Sequence, residues 1–335
     1  MALTFVGGGL GRFEHLTIEA LETVKNAEKI YVDTYTSFWA ADFFDKLREA
    51  AGHVVAADRK MLEDNVHKLV SEAVENEIVL LTPGDPFIAT THLAIRTLAH
   101  RKNVSVKVVH GVSAVSAAVS SSGLHIYKFG KTATIPKTTD SNMLNEIFKT
   151  IETNLSNNLH TLLLLDTSDH GLTIPEAVKQ LLDYSKQHGK SFINQNTLMM
   201  ALARLGFPDN MTLAAPAEKL MIHKFPPPPH SIIIPSNLHF TEEEILQTFH
   251  KGPLYIAENP LKSRVMNYVA KCRRILAELS DFHELTDYLG YISRYVEDAE
   301  RFVKDGNMVD ALLAIGYAEG LLDALRLRGE VTFTW

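Results

Sequence analysis

Over the first hundred residues, short unbroken apolar runs alternate with stretches whose apolar positions recur every three or four residues. Leu3–Val6, Ile30–Val32, Val54–Ala57, Ile78–Leu81 and Val104–Val109 are brief and almost wholly apolar, the pattern of strands buried on both faces. Between them, Ile18, Leu21, Val24 and Ala27 repeat at every third position, so Ile18–Ala27 reads as a helix with Thr17 as its N-cap. Phe43–Ala51, Val66–Asn76 and His92–His100 read as helices too. This alternation predicts the α/β class, with a mostly parallel sheet covered on both faces.

His110-Gly111-Val112-Ser113 opens a second unit. Ser113–Ser122 is a helix of small residues. Thr161–Leu165, Thr212–Ala214 and Ser231–Pro235 read as strands, with Ile174–Gln187 and Asn196–Leu205 as helices between them. Residues 136–147 are polar and unpatterned, which predicts a mobile loop. The proline run 226–229 is a stiff extended lead-in to the last strand. Around Gly252-Pro253 the character changes, and strand signals vanish from Leu261 onward. Val265 to Leu279, Leu285 to Phe302 and Met308 to Leu325 mark amphipathic helices, the last two separated by a Gly306-Asn307 turn. Short connections make them antiparallel neighbours. The predicted division is residues 1–110 and 111–250 as two α/β subdomains, and 260–335 as an all-α appendage.

Composition narrows the class. A 335-residue chain that is 46% hydrophobic and 22% charged has ample material for several cores. The net charge of −7 supplies no basic field for nucleic acid. No apolar run approaches the roughly 20 residues of a membrane span. Gly7 to Gly9 interrupts the first apolar run, which also lacks a basic lead, so it does not read as a signal peptide. The lone Cys272 forbids an intrachain disulfide and fits a reducing compartment. A cytoplasmic protein is the expectation.

The richest chemistry lies in Thr82-Pro83-Gly84-Asp85-Pro86, which follows the Ile78–Leu81 run. Two prolines stop the strand and delay the next helix, and Gly84 lets backbone approach a ligand closely. Loops at the carboxyl ends of parallel strands are where open α/β sheets bind ligands. Carbonyls and one carboxylate suit a cationic ligand such as a sulfonium, although a tight turn capped by Asp85 accounts for the same residues. Gly7-Gly8-Gly9-Leu10-Gly11, with Asp33 about twenty residues on, mimics a dinucleotide fingerprint. Arg12 in place of the third glycine and a helix starting only near Thr17 argue against it. None of the fifteen histidines stands in a metal-ligand pattern with a partner cluster, so no metal is expected.

The Pro-Gly-Asp-Pro loop and the following Ala89-Thr90-Thr91-His92 resemble the cofactor loop of diphthine synthases, which are S-adenosylmethionine (SAM) dependent enzymes of the tetrapyrrole-methylase superfamily. Leu3 to Gly11 and Tyr31 to Ser37 are similar to that family's first two strands and loops. Gly123 to Lys131 resembles a stretch characteristic of diphthine synthases among their relatives. The resemblance covers roughly residues 1 to 245. It implies a two-domain tetrapyrrole-methylase-like fold with SAM between the domains, and S-adenosylhomocysteine as product. Carried over position by position, it implies cofactor contacts at Leu10, Asp85, Ile88, Ser113, Ala114, Leu165, Leu205 and His230. By residue type, Leu10, Ile88, Leu165 and Leu205 are also ordinary core residues, Ser113 an ordinary N-cap and His230 an ordinary strand-start histidine. Tyr127, Lys128 and Lys131 are candidates for substrate recognition, or else part of a solvated basic loop. No catalytic residue is assigned.

The family's reaction is repeated methylation of the amino group on a modified histidine of translation elongation factor 2, which would then be the protein partner. A homodimer is expected from the family alone. Tyr295 to Gly329 resembles a small archaeal helical domain of unknown function, so the chain reads as a fusion. It departs from the family in three places. His15 stands where an acid is usual, Gly8 replaces an apolar residue, and His110-Gly111-Val112 lacks the common Ala-Pro before Ser113. The alternatives are a corrin-pathway tetrapyrrole methyltransferase, disfavoured by Gly123 to Lys131, and a catalytically silent scaffold acting through the C-terminal helices.

Overall fold

The computed structural model describes residues 1–138, 140–250 and 253–335. Strands β1 (Ala2–Gly7), β2 (Lys29–Asp33), β3 (Val54–Ala57), β4 (Ile78–Thr82) and β5 (Ser105–Val109) form one sheet in the order β3-β2-β4-β1-β5. Every neighbouring pair is parallel. Parallel neighbours need crossovers. Helices α1 (Ile18–Asn26), α2 (Phe43–Ala50), α3 (Arg59–Glu63), α4 (Val66–Glu72) and α5 (Leu93–Arg101) lie in them. The Thr17 hydroxyl accepts from the Ala20 N–H, as an N-cap should.

The central strands β1, β2 and β4 are buried on both faces because successive side chains meet different helix layers, whereas the edge strand β5 exposes Ser105 and Lys107. Leu3, Phe5, Tyr31 and Leu80 pack with Leu69, Val70 and Ile95. Val6, Ile30, Val32 and Leu81 pack on the other face with Val24, Phe43 and Leu47. From β2 the chain continues to β3 at one edge, and from β4 to β5 at the other. The loops leaving these adjacent strands therefore diverge, which opens a crevice at their carboxyl ends.

Helix α6 (Ala114–Ser122) begins the second lobe. Strands β6 (Ala133–Ile135), β7 (Thr161–Leu165), β8 (Leu198–Ala203), β9 (Met211–Pro216) and β10 (His230–Ile234) form a sheet in the order β6-β7-β10-β8-β9. Only β6 and β7 pair in parallel. Helices α7 (Ser141–Ser156), α8 (Ile174–Gln187) and α9 (Ala217–Ile222) cover one face, and α6 and α10 (Phe240–Phe249) the other.

Two expectations fail here. Asn196–Leu205 is not a helix; its centre is β8, every residue of which is buried. Leu198-Met-Met-Ala-Leu-Ala consists of good helix formers with no alternation, and only flanking by β9 and β10 makes it a strand. Residues 136–147 are not one loop. Asp140 caps α7 by accepting from the Asn142 N–H, and Leu144, Ile147 and Phe148 begin its buried face. Thr139, within that span, lies outside the described residues.

Helices α11 (Pro260–Glu278), α12 (Thr286–Lys304) and α13 (Met308–Leu327) form the appendage around a core of their own, closed by Val331 and Phe333. The expected boundary glycine, Gly252, lies outside the described residues. Asn259 joins the units: its Oδ1 caps α11 at Leu261 N, and its Nδ2 donates to the Ser156 carbonyl at the end of α7 (3.3 Å).

Candidate functional site

A cleft of about 890 Å³ lies between the two lobes at the carboxyl end of the parallel sheet. Its floor is a glycine crossing. Gly9 and Gly84 exchange backbone hydrogen bonds of 3.2 and 2.6 Å, tying the loop after β1 to the loop after β4. A Cβ on Gly111 would lie 2.5 Å from the Gly84 oxygen, and one on Gly7 would lie 2.4 Å from the Gly111 nitrogen. Three backbones meet where no side chain fits, which explains these glycines more directly than any nucleotide fingerprint. Gly8, the departure from the usual apolar residue, makes room for Trp39: a Cβ there would lie 2.3 Å from the indole.

Leu10, Ile88, Ser113, Ala114, Leu165, Leu205 and His230 all line this cleft, brought together from both lobes. Asp85 does not. It is buried in the same loop, where its carboxylate sits 2.7 Å from His110 Nδ1 and accepts from the Phe87 N–H (3.2 Å). The loop's carbonyls are partly engaged as well. Thr82 O accepts from Gly8 N, Gly84 O from Gly9 N, and Pro86 O from the Thr90 hydroxyl. The loop is thus a rigid internally bonded bend, with less free acceptor surface than its sequence suggests. Ala89, which also lines the cleft, holds φ at 58°, a conformation costing an alanine about 1 kcal/mol or more.

Ser113 caps α6, its hydroxyl accepting from the Val115 N–H (3.1 Å). His230 accepts at Nδ1 from the Ile174 N–H (3.2 Å) and donates from Nε2 to the Pro226 carbonyl (2.8 Å). Burial holds its pKa below the usual imidazole value, so the ring stays neutral. Both side chains therefore do structural work at the cleft wall.

Tyr127, Lys128 and Lys131 do not reach the cleft. Tyr127 is 94% exposed. Lys128 Nζ lies 2.6 Å from Glu242 Oε2 on α10, and Lys131 contributes its N–H to Asn154. Glu242 is fully buried and also accepts from the His125 and His239 amides and from His160 Nε2. Burial alone would raise its pKa, but the His239 N–H, the Lys128 ammonium and the other donors outweigh it and hold the carboxyl at about 2. The Gly123–Lys131 stretch is anchored to α10 through this carboxylate.

Two further loops line the cleft: Thr34–Phe38 after β2, most of it in the Tyr31–Ser37 stretch that carries the resemblance but was assigned no ligand contact, and Asp166–Asp169 after β7, which the sequence did not single out. Asp33 is the residue that a dinucleotide site would use to hold a ribose. It is instead fully buried, accepting from the Tyr35 and Thr36 amides (2.9 and 3.1 Å) and facing His92 Nε2 at 3.3 Å. His92 Nδ1 lies 3.2 Å from the Pro86 carbonyl. His92 Nε2 itself makes no hydrogen bond, and Asp33, engaged by the Tyr35 and Thr36 amides, leaves no carboxylate for a ribose. Across the lobes, the Thr167 hydroxyl reaches the carbonyls of Tyr35 and Thr36 (3.3 and 3.0 Å). Tyr35 OH in turn meets Thr91 (2.6 Å) and Glu63 (3.1 Å).

The charged lining residues are Arg59, Glu63, Asp166 and Asp169, and Arg59 is paired to Glu63 at 2.8 Å. Burial opposes ionisation of Asp166, but the Ser168 and Lys137 amides prevail and keep its pKa below the carboxylate range. With apolar walls from Leu10, Ile88, Leu165 and Leu205, the cleft suits a ligand that is part flat and apolar and part cationic. Among the described residues, no group of three or more His, Cys, Asp or Glu could hold a metal ion.

Residues 2–220 match the family described as Tetrapyrrole (Corrin/Porphyrin) Methylases, and the chain belongs to it. The relatives place it on one branch of that family. A diphthine synthase of Staphylothermus marinus is 44% identical over 250 residues, covering 71% of this chain and 89% of the relative. A probable diphthine methyl ester synthase of Arabidopsis thaliana is 32% identical, covering 74% and 98%. A crystal structure of a diphthine synthase superposes with a TM-score of 0.69 at 34% identity, covering 76% of this chain and 97% of that one. Residues 263–330 match a second family, described as Protein of unknown function (DUF357), so the chain is a methylase fused to a further domain. Among the described residues no helix is long and apolar enough to cross a membrane.

Proposed function

We propose that this protein is a diphthine synthase that transfers methyl groups from SAM to the amino group of the modified histidine of translation elongation factor 2. The observation that carries the reading is the interlobe cleft, where apolar walls and the Asp166 carboxylate converge on a glycine-floored bend. Leu10, Ile88, Ala114, Leu165 and Leu205 would hold the adenosine portion, with backbone at Ser113 and His230 beside it. Bound there, SAM supplies a methyl already activated on a sulfonium.

The chain's own task is placement. Asp85 acts from behind the loop, fixing it through Phe87 and His110. Glu63 is paired with Arg59 and Asp169 with Lys137 (3.5 Å), so Asp166 is the cleft carboxylate that favours a cationic partner, which suits an amine that gains charge as it is methylated. Alignment of donor and acceptor can supply on the order of 7 to 11 kcal/mol. No side chain is assigned as base; water can take the ammonium proton. Tyr127, exposed outside the cleft, is available to a protein substrate, whereas Lys128 is engaged by Glu242. A homodimer in the cytoplasm completes the reading, on family grounds.

The name of the Arabidopsis relative favours one variation, transfer to a carboxylate as a methyl ester. One experiment separates the cases. The protein is incubated with SAM and elongation factor 2 bearing the unmethylated precursor, and the product is weighed before and after mild alkali. Stepwise alkali-stable methyl additions support N-methylation; an alkali-labile methyl shows ester formation. Methylation of a corrin precursor instead would move the protein to the tetrapyrrole branch. No SAM binding by calorimetry would leave the silent scaffold.

A further inference from the structure

A run of four hydrogen-bonded side chains follows the cleft wall. The Thr91 and Tyr35 hydroxyls meet at 2.6 Å, Tyr35 OH lies 3.1 Å from Glu63 Oε1, and Glu63 Oε2 accepts from Arg59 Nε at 2.8 Å. All four residues line the cleft. The run ends on a guanidinium of which only Nε is engaged: among the described residues, Arg59 Nη1 and Nη2 make no hydrogen bond. Glu63 thus steadies the arginine and leaves its outer edge to a ligand. Two parallel N–H donors on a planar edge match a carboxylate.

Arg59 opens α3 directly after β3, the outermost strand of its sheet. In the same lobe, the residues proposed to hold adenosine, Leu10, Ile88 and Ala114, follow β1, β4 and β5. At about 4.8 Å per strand, β3 stands roughly 10 Å from β4 and roughly 19 Å from β5. The guanidinium therefore serves the end of the cleft away from the nucleoside. Asp166 supplies the opposite charge. Its two oxygens accept one amide each, from Ser168 (2.8 Å) and Lys137 (3.0 Å), which leaves a lone pair on both. Glu63 chiefly, then Tyr35 and Asp166, hold the Arg59 pKa above its ordinary value, so the Asp166 charge acts within reach of the guanidinium.

The acceptor of the proposed function offers two nucleophiles, an amine and a carboxylate, and the choice between them sets the product. Building on that reading of the acceptor, we propose that Arg59 takes its carboxylate on the two Nη groups while Asp166 takes its amine, so that the nitrogen is turned to the methyl donor and the carboxylate is withheld. A carboxylate held bidentately has its lone pairs committed to the fork and is a poor nucleophile. The amide donors that keep Asp166 ionised make it an acceptor of an amine N–H and leave the nitrogen lone pair free to meet the methyl.

The test is Arg59→Gln in the full chain, with SAM affinity by calorimetry and kinetics on elongation factor 2 bearing the unmethylated precursor. An exposed ion pair contributes little to folding, so the melting curve should not move. The expected result is a kcat/KM for elongation factor 2 at least tenfold lower, about 1.4 kcal/mol, at an unchanged Kd for SAM. The share of alkali-labile methyl in the product should rise severalfold. Arg59→Lys should recover little of the loss, because a point charge cannot hold both oxygens. An unchanged kcat/KM overturns the proposal, as does an unchanged share of labile methyl or near-complete recovery by lysine. A matching rise in the SAM Kd overturns it by giving the fork to the cofactor's own carboxylate. A wild-type product that is mainly alkali-labile overturns it because the carboxylate is then the group methylated. If wild type leaves elongation factor 2 unmethylated, the acceptor falls and this assignment with it; failure of the variant arms alone leaves the acceptor standing.

Discussion

Lys128 tests whether the Gly123–Lys131 stretch recognises substrate or holds the fold. Its ammonium is one of four donors to the fully buried Glu242 carboxylate. That carboxyl is held at about 2 against an ordinary 4.5. At about 1.36 kcal/mol per unit, the surroundings favour the ionised form by roughly 3 kcal/mol. Breaking a buried pair outright costs about 3–5 kcal/mol. Three donors remain in Lys128→Met, so its expected loss is smaller, about 2 kcal/mol. For a unit of this size that lowers Tm by roughly 4–8 °C. The assay is thermal melting beside steady-state kinetics on elongation factor 2. Lower Tm with an unchanged KM for the protein substrate is the expected result. An unchanged Tm with a severalfold higher KM would refute the structural reading and return Lys128 to the substrate face.

The same carboxylate sets an acid limb. A depressed pKa contributes stability that is complete above about pH 4.5 and lost as pH falls toward 2; Glu242→Gln should flatten the acid-unfolding curve in that window, followed by circular dichroism. Asp85→Ala frees the bend behind the cleft and is expected to weaken SAM binding at least tenfold, about 1.4 kcal/mol, by calorimetry; an unchanged Kd would refute the role of Asp85 in setting the bend. Gly111→Ala forces a methyl group against the Gly84 carbonyl and Gly7 backbone. It should destabilise by more than about 2 kcal/mol and abolish SAM binding, because backbone cannot step aside as a side chain can.

The first lobe was legible because its strands are short, mainly apolar runs separated by clear helical periods, and its central strands β1, β2 and β4 are buried on both faces. The second lobe was less so. In Leu198–Ala203 local propensity and tertiary placement disagree, and the start of α7 was hidden under a polar turn although Leu144, Ile147 and Phe148 carry helical spacing. The cofactor candidates came from the family resemblance; Leu10, Asp85, Leu205 and His230 also stand beside a glycine or proline that announces a bend, whereas Ile88, Ser113, Ala114 and Leu165 do not. The buried approach of His92 to Asp33 and the pairing of Lys128 with Glu242, 114 residues apart, left no mark. Burial and partner together define such residues, and neither is a local property of sequence.

The chain's two tryptophans fall in different units. Trp39 stacks on Phe43 at 3.9 Å between ring centres, with its indole N–H on the Asp33 carbonyl beside the cleft. Trp335 packs edge-on against Phe333 and donates to Asp323 in the C-terminal bundle. The molecule thus carries a natural pair of fluorophores. With Trp39→Phe or Trp335→Phe silencing one at a time, emission can follow the methylase cleft and the fused helices as separate signals in a single titration.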